Sequence, residues 1–97
     1  MNASPSVTKE RATSKVHKPY PNFKVIVLDD DFNTFQHVEQ CLVSYIPGMT
    51  IEQAKTHSHE IHHEGQAIVW IGPQEQAELY HLQLKRAGLT MAPLEAA

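Results

Sequence analysis

Short apolar runs and polar stretches alternate along the chain with a spacing that predicts three strands and three helices. Phe23 to Leu28 is rich in β-branched residues and nearly all apolar, the composition of a buried strand. Asp29-Asp30-Asp31 interrupts the run. Asn33, with Gln36 three positions on, forms a variant capping box that predicts a helix start. Phe35, Val38, Cys41, Leu42 and Tyr45 then share one helical face, and Pro47-Gly48 ends the helix. Thr50 and Gln53 repeat the capping signal; Ile51, Ala54, Ser58 and Ile61 give the second helix a thin apolar stripe, and Gly65 closes it. Ala67 to Ile71 reads as a second strand. Pro73 is expected at the first position of a third helix, where its missing N–H costs nothing. Ala77, Tyr80, Leu84 and Ala87 form the inner face of that helix, Gly88 closes it, and Leu89 to Leu94 is a short last strand. The order strand–helix–helix–strand–helix–strand predicts a single two-layer α/β (α+β) domain, a three-stranded sheet packed against helices. No internal repeat is present.

Composition narrows the class. The chain has 97 residues, 41% of them hydrophobic and 20% charged, which fits one small globular domain. No apolar run approaches the roughly 20 residues of a membrane span, and the first residues lack a basic-then-apolar leader pattern. The lone Cys41 has no partner for an internal disulfide. Charge divides the chain unevenly: residues 1–22 carry Lys9, Arg11, Lys15 and Lys18 against Glu10, whereas residues 23–97 carry four basic residues against ten acids. An acidic body argues against nucleic acid as its partner, because phosphate binding needs a basic face. Residues 1–21 hold few large apolar side chains and three prolines, so they are expected to form a flexible N-terminal extension ahead of a folded domain at 22–97.

Two clusters could carry chemistry. His59-Glu60-Ile61-His62-His63 satisfies the H-E-x-x-H pattern, in which His59 and His63 share a zinc ion and Glu60 serves as base. Gly65 follows too closely for a long active-site helix, and no third ligand is recognisable; a His-rich solvated face is the simpler reading. Asp29-Asp30-Asp31 ends a strand and precedes a helix, where acids also complement the helix dipole. A magnesium-binding phosphoacceptor site fails, because residues 32–97 contain no Asp to be phosphorylated. Another cation, one geometry among several, is an ammonium: a peptide α-amino group is largely protonated at neutral pH, carboxylates bind it through charge-assisted hydrogen bonds, and a neutral imidazole accepts one more.

The stretch Lys24-Val25-Ile26-Val27-Leu28-Asp29-Asp30-Asp31-Phe32-Asn33-Thr34-Phe35-Gln36-His37-Val38 resembles the opening signature of ClpS adaptors, an apolar strand followed by Asn-Asp-Asp, a polar turn and a helix. The resemblance continues through Glu52-Gln53-Ala54, His62-His63-Glu64-Gly65 and Gln76-Ala77-Glu78 to Pro93-Leu94-Glu95, and looks nearest to the cyanobacterial and plastid branch. It implies an adaptor without catalytic activity, cofactor or metal, working as a monomer in the cytoplasm or plastid stroma. Such an adaptor captures proteins by a destabilising first residue, usually Leu, Phe, Tyr or Trp, and delivers them to a Clp ATPase of the ClpA or ClpC type. By position, Asp29, Asp30 and His62 would hold the α-amine. Phe35, Val38, Ser58 and Ile61 would line the side-chain pocket, with Asp31, Asn33 and Thr90 at its margins. Glu75 and Glu78 would meet the ATPase N-terminal domain, and residues 1–21 would take part in hand-over. No nucleic acid or membrane partner is implied.

Four positions depart from the family pattern. Asp29 replaces an Asn, so an acceptor-only group stands where an amide could also donate. Phe35 and Ser58 replace two pocket methionines, the first stiffer and the second smaller and hydroxylated, which predicts a shifted preference among first residues. Tyr80 replaces a basic contact on the third helix. Two other classes stand beside the adaptor reading: a small metal-binding or hydrolytic protein built on His59, Glu60 and His63, and an interaction domain like the C-terminal domain of the ribosomal stalk protein, whose order of elements is similar.

Overall fold

The computed structural model describes residues 21–97; the predicted N-terminal extension lies outside the described residues, apart from Pro21. Strand β1 (Asn22–Leu28) is the centre of a three-stranded sheet in the order β2-β1-β3, with β2 at Gln66–Pro73 and β3 at Glu95–Ala96. Both pairings are antiparallel, which makes the domain α+β rather than parallel α/β. Helices α1 (Phe35–Tyr45), α2 (Ile51–Glu64) and α3 (Gln74–Arg86) complete it. Val25 and Val27, alternate residues of β1, share one core with Ala67 and Val69 of β2, Val38, Cys41 and Leu42 of α1, Ala54 and Ile61 of α2, and Ala77 and Leu84 of α3.

The helix boundaries follow local chemistry. Thr34, not Asn33, caps α1: its Oγ1 accepts the His37 N–H at 3.1 Å, while the Asn33 side chain is drawn away to Asp30 and to the Gly88 carbonyl. The Thr50–Gln53 capping box forms in both directions, each bond 3.1 Å long. Gly65 ends α2 with φ 91°, a left-handed conformation that a side chain would strain. Pro73 is the last residue of β2 and the N-cap of α3 rather than its first helical residue. Tyr45 and Ile51, expected on inner faces, are exposed, and the buried anchor between α1 and α2 is Ile46.

The last strand differs most from the expectation. Residues 89–94 pair with β1 only through the Val27–Met91 bridge and two flanking hydrogen bonds, Leu28 N–H to Thr90 O at 2.8 Å and Ala92 N–H to Ile26 O at 3.1 Å. Regular pairing resumes at Lys24–Glu95 and Phe23–Ala96. Four steps on the C-terminal segment, Met91 to Glu95, face three on β1, and Pro93, which has no N–H, sits in that irregular stretch.

Candidate functional site

A cavity of about 360 Å³ opens where β1 ends, enclosed by the β1–α1 loop, one face of α1, one face of α2 and the turn after α3. Asp29, Asp30, Asp31, Asn33, Phe35, Val38, Ser58, Ile61, His62 and Thr90, all singled out from the sequence, line it together with Leu89. Its walls differ in character. Val38, Ile61 and Leu89 are buried and apolar, whereas Asp29, Asp31 and His62 are exposed. Carboxylates and an imidazole therefore lie at solvent around an apolar interior.

Asp30 organises the loop. One carboxylate oxygen accepts the backbone N–H groups of Phe32 at 2.9 Å and Asn33 at 2.8 Å. The other accepts the Asn33 side-chain amide and the Thr90 hydroxyl, both at 2.7 Å. Burial alone would raise its pKa. The donors, led by the Thr90 hydroxyl and the two backbone amides, outweigh that and hold it down at about 2. These four bonds use the acceptor capacity of a carboxylate. Asp29, in contrast, has no side-chain hydrogen bond among the described residues, and its backbone N–H donates to Gly65 O at 2.9 Å, tying the end of β1 to the end of the helix that carries His62.

The turn after α3 is fastened to the same loop and helix. His37 Nε2 lies 2.9 Å from Ala87 O, and because a carbonyl only accepts, that nitrogen carries the hydrogen. The Asn33 amide adds a bond to Gly88 O at 3.0 Å. Cys41 packs beside His37 on the buried face of α1, where desolvation pushes its thiol pKa up and keeps it protonated. Where α1 meets α2 the Phe35 ring lies edge-on to His59 and His62, at centroid distances of 4.9 and 5.2 Å.

The remaining predicted residues lie elsewhere. Glu75 and Glu78 border a separate concavity of about 440 Å³ at the start of α3, which shares no lining residue with the first. Gln74 donates to Glu78 there at 3.2 Å. His59 and His63 stack with centroids 6.3 Å apart, but Glu60 is turned to His57 Nδ1 at 3.6 Å. Among the described residues no three His, Cys, Asp or Glu side chains converge as metal ligands. The sequence pattern does not mark Leu89 or Glu39 as part of the site: Leu89 reads as strand, and Glu39 carries no motif, although its place one turn beyond Phe35 puts it on the same side of α1.

The fold and the cavity define a small α+β domain with one apolar pocket rimmed by acids. A family model described as "ATP-dependent Clp protease adaptor protein ClpS" matches residues 18–97. The chain is 68% identical over 97 residues to the ATP-dependent Clp protease adapter protein ClpS of Nostoc sp., covering 100% of each chain. It is 67% identical over 96 residues to the protein of that name from Synechocystis sp., covering 99% of this chain and 97% of the other. Its fold is similar to that of Agrobacterium tumefaciens ClpS2, solved bound to L-phenylalaninamide, with a TM-score of 0.71, 23% identity and coverage of 79% of this chain and 98% of that one. The chain belongs to the ClpS family of Clp protease adaptor proteins, and its relatives of high identity are cyanobacterial, as the sequence resemblance implied.

Proposed function

We propose that the cavity binds the first residue of a substrate protein and that the chain, itself without catalytic activity, carries such proteins to a Clp ATPase of the ClpA or ClpC type. The observation that carries this reading is the gathering of three carboxylates and an imidazole around one cavity whose interior is Val38, Ile61 and Leu89. An α-ammonium group needs acceptors and negative charge, and the side chain beside it needs an apolar recess. Asp29 and His62 supply the acceptors. Asp30 supplies charge from a carboxylate whose own acceptor positions are filled by the loop. Asp31, Asn33 and Thr90 form the margin, and Phe35, Val38, Ser58 and Ile61 surround the first side chain, drawn from the Leu, Phe, Tyr and Trp class with a preference shifted by Phe35 and Ser58.

Glu75 and Glu78 are the contact for the ATPase N-terminal domain in this reading. Their concavity is separate from the cavity, so substrate and ATPase can be held at once. The adaptor works as a monomer, in the cytoplasm or plastid stroma; no helix among the described residues is long and apolar enough to cross a membrane.

Fluorescence anisotropy with peptides that differ only in their first residue tests the reading. Saturable binding with a Kd on the order of micromolar, abolished by acetylating the α-amine, is expected. Equal binding of acetylated and free peptides, or none to any first residue, would remove it.

A further inference from the structure

Among the described residues Ser58 is the one buried polar or charged residue, 2% exposed, and it lines the cavity. Its Oγ lies 2.9 Å from Glu39 Oε2 and 3.1 Å from Lys55 O. A hydroxyl has a single hydrogen, and the carboxylate is the stronger acceptor, so the hydrogen goes to Glu39. Its lone pairs stay available: among the described residues no N–H or O–H donates to Oγ. A hydrogen-bond acceptor therefore belongs to the same cavity lining as Val38 and Ile61, which are 7% and 4% exposed. Glu39, which is not part of the cavity lining, fixes the direction of the hydroxyl.

Resting on the proposed binding of a first residue, we infer that the Ser58–Glu39 pair makes the cavity select a side chain carrying a neutral hydrogen-bond donor, so that Tyr is preferred over Phe. A phenol O–H satisfies the Ser58 acceptor. Phe or Leu covers it and leaves it unpaired, which costs more than the bond itself returns. The indole N–H of Trp is the other neutral donor of the class. A Lys side chain also donates, but its charge would be desolvated among Val38 and Ile61, and Glu39 is not part of the cavity lining. Glu39 is a positioning residue, acting through the serine.

The test is anisotropy with peptides beginning in Tyr, Phe, Leu or Lys, on the full chain and on Ser58→Ala, Glu39→Ala and the double variant, each checked for folding by circular dichroism. The unmodified chain is expected to bind Tyr about 3- to 10-fold tighter than Phe. Ser58→Ala brings that ratio to one. Glu39→Ala lowers the ratio without changing Leu, and adds nothing to Ser58→Ala. Equal Tyr and Phe affinities in the unmodified chain, a ratio that survives Ser58→Ala, or Lys binding above Tyr would overturn the inference while acetylation-sensitive binding still upheld the function. Loss of acetylation sensitivity for every peptide would remove both.

Discussion

The Thr90 hydroxyl donates to the Asp30 carboxylate at 2.7 Å across sixty residues of sequence. That bond joins the loop after the first strand to the turn after the last helix, and the cavity lies between them. Asn33 to Gly88 and His37 to Ala87 run parallel to it, so the same wall is fastened at three successive points. The acidic triplet is thus both the rim of the pocket and its clasp, and Asp30 divides the two duties from Asp29.

Removing the clasp should lower stability as well as binding. Asp30→Ala leaves four donors without their acceptor and is expected to cost about 2 kcal/mol, roughly 10 °C in Tm for a domain of this size. Thr90→Val removes one donor alone and is expected to cost about 1 kcal/mol. Thermal unfolding followed by circular dichroism measures both, and equal Tm values for all three chains would show that the loop is held by other contacts.

Asp29→Ala separates binding from stability. Its carboxylate is exposed and has no side-chain hydrogen bond among the described residues, so stability should change by less than about 0.5 kcal/mol. On the proposed binding of an α-ammonium, affinity for a free α-amine should fall about tenfold, because one of its acceptors is gone. Calorimetric titration with a Leu-initiated peptide checks this; unchanged affinity would assign the amine to other groups. Asp29→Asn, which keeps an acceptor, should bind with a weaker dependence on salt.

Asp30 also sets a pH response. Its pKa is about 2 in the folded chain against an ordinary 3.8, so the folded state favours the charged form. The resulting stability is fully present above the unfolded value near 4 and is lost as pH falls through the folded value near 2. Denaturation midpoints of the unmodified chain and of Asp30→Asn should therefore lie furthest apart above pH 4 and converge toward pH 2. A gap that stays constant over that range would mean that Asp30 is not held as the carboxylate in the folded chain.

The pocket was legible because its residues sit at element ends that the sequence marks clearly. The triplet follows an apolar run, Phe35 and Val38 follow a capping signal, and Ser58, Ile61 and His62 fall on the side of a helix closed by Gly65. What local pattern could not carry was pairing across the chain. Asn33 reads as a helix cap because it stands three residues before Gln36, but Asp30 competes for its side chain within the loop, and the second acceptor, Gly88 O, is present only once the turn after α3 is in place. Glu39 is an ordinary helical acid until α2 brings Ser58 to it. Residues 89–94 read as a strand from their apolar content, yet Pro93 and the extra residue opposite β1 leave one bridge and defer regular pairing to Glu95 and Ala96.

Gly72 provides a control that tests the sheet without touching the pocket. It lies two residues beyond Trp70 on the same face of β2, and a Cβ built there would fall inside the indole, 2.6 and 2.9 Å from Cζ2 and Cζ3. The ring meets Tyr80 of α3 edge-on, with centroids 4.9 Å apart, so it cannot withdraw without giving up that contact. Gly72→Ala should cost about 1–3 kcal/mol, the usual range for overpacking. Trp70 is the single tryptophan, so its fluorescence reports the displacement directly. Neither Gly72, Trp70 nor Tyr80 lines the cavity, so the folded variant should bind Leu-initiated peptides as the unmodified chain does. Lost binding in a variant that is still folded would mean that strain at β2 reaches the pocket through α2, which packs on that strand and carries Ser58, Ile61 and His62.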